Sequence, residues 1–172
     1  MTEAEFLIKE LAPADAEEFW KLRLKGLKEE AHAFGASYEE SLNTDMDTVR
    51  KRVSSTQNSF VLAAVIADKF VGVTGFYRYQ EGIKSAHKGV LWGVYLLPEH
   101  RGRGIAKVLL KAVIEKARSL PGIELIHLGV NPANQPVVKL YESLGFSKWG
   151  TERHALKVNG EYVDEDQMVL WL

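Results

Sequence analysis

Residues 90–119 constrain the chain more than any other stretch. Val90-Leu91-Trp92-Gly93-Val94-Tyr95-Leu96-Leu97 is apolar, aromatic and β-branched, and it reads as a strand. Pro98 ends that strand, because proline cannot donate to a ladder. Glu99-His100-Arg101-Gly102-Arg103-Gly104 follows. Beyond it Ile105, Val108, Leu109, Ala112, Val113 and Ala117 recur at helical spacing, which predicts a helix over 105–119. A strand that turns through glycines into a helix presents unpaired N–H groups at the helix start, and the helix dipole adds positive potential there. Gly102 and Gly104 permit positive φ and close approach of a ligand. Arg101 and Arg103 add charge beside the turn, with Lys107 and Lys111 farther along the helix. The outline is a phosphate cradle. It differs from the P-loop, which ends in Gly-Lys-Ser/Thr. It also lacks the Gly-x-Gly-x-x-Gly and later acidic residue of a dinucleotide site. The competing reading is a plain strand-to-helix turn with solvated basic residues.

The rest of the pattern supplies a sheet and more helices. Residues 6–11 read as a first strand, and Pro13 opens an amphipathic helix to about residue 28. Residues 29–43 are polar and carry no clear periodicity, while Asp45 or Asp47 caps a second helix to about residue 54. Residues 60–67 and 70–79 read as a β-hairpin around Asp68-Lys69. A strand over 123–130 leads to a helix over 136–144, with Gly145 at its C-terminal position. Strands over 148–156 and 162–172 flank an Asn159-Gly160 turn. The order β-α-α-β-β-β-α-β-α-β-β predicts an α/β fold with a mixed sheet and helices, in one domain over 1–172.

Composition removes several function classes. The 172 residues carry a net charge of -1, far from the basic balance of a nucleic-acid binder. The chain contains no cysteine, which excludes a disulfide scaffold and a thiol nucleophile and fits a reducing compartment. Met1-Thr2-Glu3-Ala4-Glu5 is acidic where a secretion signal would be basic. No apolar run approaches the roughly 20 residues of a membrane span. A cytoplasmic protein, with neither nucleic acid nor membrane as partner, is expected.

The segment from Val94 to Ala106 resembles the acetyl-CoA-binding motif of the GCN5-related N-acetyltransferase (GNAT) family. That motif reads Gln/Arg-x-x-Gly-x-Gly/Ala, here Arg101, Gly104 and Ala106. A second stretch, from Asn134 through Tyr141 to Gly145-Phe146, is similar to the family's Asn, Tyr seven residues on, then Gly-Phe. The likeness covers nearly the whole chain, although residues 1–55 match only in pattern. It implies a GNAT fold, mostly antiparallel and flanked by helices. It implies an enzyme that moves an acetyl group from acetyl-CoA to an amine. Backbone amides of Arg101, Gly102, Arg103, Gly104, Ile105 and Ala106 would hold the pyrophosphate. Val94, Tyr95 and Leu96 would pair with the pantetheine arm. Asn134 would contact that arm, and Tyr141 would lie near the sulfur. Read from the residues alone, Asn134 could instead cap its helix, and Tyr141 could be a core tyrosine beside Val137 and Leu144. Relatives are often dimers, so the resemblance admits a homodimer.

Amide formation needs a neutral amine, a stabilised oxyanion and a proton for the departing thiolate. Tyr141 is the expected donor. With a thiol near pKa 8.5 and a tyrosine near 10, full transfer is uphill by about 2 kcal/mol, small enough for donation in concert with departure. A backbone N–H near Val94 or Leu96 is the expected oxyanion donor. Many relatives carry a carboxylate base on the strand before the loop, and residues 90–97 contain none. Glu39, Glu40 and His87 are the alternatives, each weighed against a solvated surface role. Deprotonating a lysine-like amine at pH 7 requires about 4.6 kcal/mol, against about 1 kcal/mol for an α-amine. The missing carboxylate therefore favours a low-pKa amine or a base acting through water.

Other residues carry less. His127 lies on the strand face opposite Ile126, Leu128 and Val130, and His32, His100 and His154 have no metal-ligand spacing, so no metal is expected. Trp92 and Tyr95 line either an acceptor pocket or the sheet interior. Asp164-Glu165-Asp166 reads as a solvated strand end before it reads as an attractor of cations. The alternative function is an acyl-CoA-binding sensor or assembly module without turnover.

Overall fold

In a computed structural model describing residues 5–79 and 82–172, seven strands form one sheet in the order β1-β2-β3-β4-β5-β7-β6. The strands are β1 (Leu7–Glu10), β2 (Ser59–Ile66), β3 (Lys69–Arg78), β4 (Lys88–Leu96), β5 (Leu125–Val130), β6 (Ser147–Val158) and β7 (Glu161–Trp171). Every neighbouring pair is antiparallel except β4 and β5, which run parallel. The helices are α1 (Ala16–Glu29), α2 (Tyr38–Ser41), α3 (Met46–Val53), α4 (Ile105–Ser119) and α5 (Gln135–Ser143).

Alternation along β2 divides the core between the two faces of the sheet. Phe60, Leu62 and Ala64 join the cluster under α4 and α5, while Val61, Ala63 and Val65 join the one under α1 and α3. β2 is buried from Phe60 to Val65, as its unbroken apolar run requires.

Several expectations are corrected in detail. Pro13 starts a 3-10 turn, Pro13–Asp15, and the α-helix begins only at Ala16. Asp15 closes that turn by accepting the N–H of Ala12, so the polar group that would have continued the helix backward is already used. The ambiguous stretch 29–43 contains a 3-10 turn, Ala31–Ala33, and the single turn of α2. Asp45, not Asp47, caps α3, accepting from the Thr48 N–H at 2.9 Å. The acidic start of the chain lies, apart from Glu5, outside the described residues. No helix among the described residues is long and apolar enough to cross a membrane.

Candidate active site

The sheet parts at its only parallel junction. β4 pairs with β5 only at Lys88, Gly89 and Val90. From Leu91 onward β4 has no ladder partner on that side, and neither does the end of β5 from Leu128. Unpaired strand edges offer their N–H and C=O groups to whatever enters.

A bulge lies beside this gap. β3 and β4 slip register between Val73 and Gly75, so that Gly93 and Val94 oppose Thr74 alone. Gly93 has φ +66, which a side chain would strain. The buried Thr74 hydroxyl donates to the Trp92 carbonyl at 3.1 Å. The extra residue shifts the face alternation. Trp92 and Tyr95, three positions apart, both pack toward α1, while Leu91, Val94 and Leu96 pack toward α4.

The loop beyond β4 is held by Arg101. Its Nε donates to the Leu96 carbonyl at 2.9 Å, its Nη2 meets Glu30 Oε1 at 3.0 Å, and its guanidinium lies 5.8 Å from the Tyr95 ring centroid. Arg101 therefore braces the turn, and its charge is shared with Glu30. Gly102 and Gly104 take φ +73 and +77, with open space where a Cβ would stand. Gly104 is the N-cap of α4, without a side-chain cap and without an acidic residue in the first turn. The N–H groups of Gly104, Ile105, Ala106 and Lys107 thus lack an intrahelical acceptor at the positive end of the dipole. Donor set, charge and open space fit a diphosphate. Arg103 stays exposed, 3.4 Å from His100 Nδ1.

α5 places Tyr141 in the core cluster that also holds Leu96 and Ile105. Tyr141 is 4% exposed and packs edge-on to Phe146, with ring centroids 5.8 Å apart. Burial pushes its hydroxyl above the ordinary tyrosine value. That hydroxyl has no protein hydrogen-bond partner among the described residues, yet it is not sealed, because the only sealed and unpartnered side-chain polar atom among them is Arg23 Nη1. Asn134 stands at the N-cap of α5, but its side chain makes no cap hydrogen bond. Asn131 does the local tying, accepting from the Ala133 N–H and donating to the His32 carbonyl.

The sequence profile of the acetyltransferase (GNAT) family matches residues 24–146. The chain belongs to that family. Spermidine N(1)-acetyltransferase of Vibrio cholerae is 28% identical over 106 residues, 62% of this chain and 61% of that protein. "Probable N-acetyltransferase YjcK" of Bacillus subtilis is 27% identical over 95% of this chain and 91% of its own. Several curated relatives are longer, and the match spans only 48% of two human ones. Among solved structures, yncA from Salmonella typhimurium with its cofactor acetyl-CoA superposes with a TM-score of 0.83 at 21% identity, covering 98% of this chain and 94% of that one. At that identity the likeness speaks for the fold.

Within this GNAT fold, Val94 and Leu96 share the α4 face of β4 with Ile105 and Ala106, while Tyr95 is buried on the other face and locked there. Its hydroxyl donates to Glu29 Oε2 at 2.6 Å, and burial with that bond holds its pKa well above normal. Gly26 lets α1 cross over the ring, since a Cβ there would stand 2.8 Å from it. The proposed bases are not joined to this surface by any hydrogen bond. Glu40 is paired with Ser37 at the start of α2, and Glu39 is exposed and makes no hydrogen bond or ion pair among the described residues. His87 precedes the first residue of β4, at the opposite end from the loop, roughly 30 Å from Leu96 at about 3.3 Å per residue. The acidic run serves the β6–β7 hairpin: Asp166 accepts from Thr151 at 2.6 Å and Lys148 at 2.9 Å, and Asp164 accepts the His154 N–H. Among the described residues, no group of three or more His, Asp or Glu could hold a metal.

Sequence reading overlooked Glu29, Glu30, Thr74, Gly93 and Arg23. Only Arg23 left a trace. It interrupts the stripe Ala16, Phe19, Trp20, Leu27, where an apolar residue is expected.

Proposed function

We propose that this chain transfers an acetyl group from acetyl-CoA to a primary amine by direct attack in a ternary complex. The observation that carries this reading is the uncapped start of α4 opening onto the gap between β4 and β5. A diphosphate at Gly104–Lys107 leaves a thioester arm free to lie along the unpaired edge of β4, toward the bulge at Gly93. Bound acetyl-CoA supplies the thioester. The chain's own groups do the rest: N–H groups of β4 near Val94 stabilise negative charge on the carbonyl oxygen, and Tyr141 donates to the departing sulfur. Attack forms the C–N bond and breaks the C–S bond. The nitrogen releases a proton to base and the sulfur gains one, leaving an amide and free coenzyme A. Tyr141's raised pKa weakens it as an acid, but burial raises the proton affinity of a thiolate in the same dry place too. Of the two carboxylates proposed as base, Glu39 is the freer, since Glu40 is engaged by Ser37. A cysteine-free chain suits the cytoplasm, where we place the reaction.

Calorimetry with acetyl-CoA, followed by thiol release with a panel of amines, tests this. Binding plus amine-dependent release is expected. An absence of affinity for acetyl-CoA and free coenzyme A defeats the proposal. Tight binding without release for any amine would make the chain a binding module instead.

A further inference from the structure

Among the described residues, one sealed side-chain polar atom has no hydrogen-bond partner, Nη1 of Arg23. Arg23 is 7% exposed, with Nη1 sealed and unbonded, and its guanidinium makes no hydrogen bond or ion pair among the described residues. Nε and Nη2 are equally unpartnered but are not sealed, so the fork edge of the guanidinium stays reachable. The group lies 4.5 Å from the Phe34 ring and 5.6 Å from the Trp92 ring. A Cβ on Gly93 would stand 3.4 Å from Nη1, so the cation sits directly behind the β4 bulge.

A second cation converges on the same tryptophan. Arg52, from α3, lies 6.0 Å from Trp92 and 5.2 Å from Trp20, and it too has no ion pair among the described residues. The two like charges disfavour each other, and burial with Arg52 nearby lowers Arg23's pKa to about 10. An uncompensated buried charge destabilises a fold, and an apolar residue of similar length would fill the place better. Ring contacts with Phe34 and Trp92 offset part of that cost, but they leave the guanidinium N–H donors without acceptors.

The location gives a reason for the cation. α4 and its open N-terminus lie on one face of the sheet, and α1 with Arg23 lies on the other, either side of the bulge. On the α1 face, Arg23 and Arg52 both lie against Trp92, and Arg23 also lies against Gly93 at the bulge.

We propose that Arg23, with Arg52, forms the subsite for a carboxylate borne by the acceptor, so that the acceptor is a small amine carrying a carboxylate close to its nitrogen, of the α-amino acid type. The planar fork of Arg23 matches a carboxylate bidentately, and Trp92 and Phe34 wall the site. The same two positive charges favour the neutral form of the bound amine, easing the need for a strong base. A polycationic acceptor would be repelled. This assignment rests on the acetyl-transfer reading and names its substrate class.

The test uses the full chain, acetyl-CoA and the proteinogenic α-amino acids, each beside its α-carboxamide, with spermidine as a cationic control. At least one amino acid should release thiol with a lower KM than its carboxamide, and spermidine should be poor. Arg23→Met should raise that KM on the order of tenfold to a hundredfold. It should change carboxamide KM far less than amino-acid KM, leave acetyl-CoA affinity unchanged, and not lower Tm, as loss of a merely structural arginine would. Arg52→Gln, at the surface, should produce a smaller shift in the same direction. Equal use of acids and carboxamides, a preference for spermidine, or an unchanged acid-to-amide ratio in Arg23→Met would overturn the subsite. Release with no amine at all, despite coenzyme binding, would instead overturn the transferase reading. The subsite would then be judged by calorimetric binding of the same amino acids to wild type and Arg23→Met, with equal affinities overturning it.

Discussion

The Thr74 hydroxyl donates to the Trp92 carbonyl across the one point where β4 outruns β3 by a residue. The bond ties the two strands together at the bulge, where the strand changes face. Thr74→Val keeps the shape and removes the donor. Loss of one such hydrogen bond costs about 0.5–1.5 kcal/mol. Thermal unfolding should report a fall of about 2–4 °C for each kcal/mol at this chain length. Thiol release should decline as well, because the N–H groups beside Gly93 lose their fixed aim. An unchanged Tm would show that the bulge holds itself.

Arg101 works through geometry more than charge. Its Nε bond to Leu96 belongs to a fork that lysine lacks. Arg101→Lys and Arg101→Ala should therefore weaken acetyl-CoA binding to a similar extent, on the order of tenfold. Titration calorimetry distinguishes the cases. If lysine restores wild-type affinity, Arg101 acts as a plain positive charge on the ligand.

The loop glycines offer a charge test that leaves the core alone. Nothing stands within 4 Å of a Cβ placed on Gly102, so Gly102→Asp meets no clash. Aspartate also tolerates positive φ better than most residues. A carboxylate placed before the open start of α4 should compete with the diphosphate. Affinity for coenzyme A should drop about tenfold or more, while Tm falls by only a few degrees from the strain of a side chain at positive φ. Retained affinity would show that the diphosphate binds elsewhere.

Tyr141→Phe removes one oxygen from a buried ring. Turnover should fall on the order of a hundredfold, in keeping with loss of a general acid, while acetyl-CoA affinity stays within about twofold. Burial holds the hydroxyl above the ordinary value near 10, so the donor remains protonated throughout the neutral and mildly alkaline range. The wild-type rate should consequently show no alkaline loss from this group below about pH 10. Above that pH an unfolded chain would release the proton first, so stability, too, should begin to fall there. Full turnover in the phenylalanine variant would return Tyr141 to a packing role.

Local chemistry made much of this protein legible. α4 runs from Ile105 to Ser119, as its apolar period predicts, because Gly104 and the Pro121-Gly122 pair bound a strong amphipathic pattern. The turn at Asn159-Gly160 also forms where expected, with both residues at positive φ. The stretch 29–43 was opaque because its short turns draw their order from neighbours far along the chain, as when His32's carbonyl receives Asn131.

The same division separates what each level decided about the site. Sequence alone determined the glycine turn and the open helix start, because both act through backbone groups a few residues apart. Only tertiary structure decided which cations are free to act. Arg101 looked like the ligand's arginine, yet it is occupied by Leu96 and Glu30, while Arg23, spaced like a core residue, is left without a partner. Whether a charge is spent or available depends on groups that meet only when α1, α3 and β4 pack together, and no local pattern encodes that meeting.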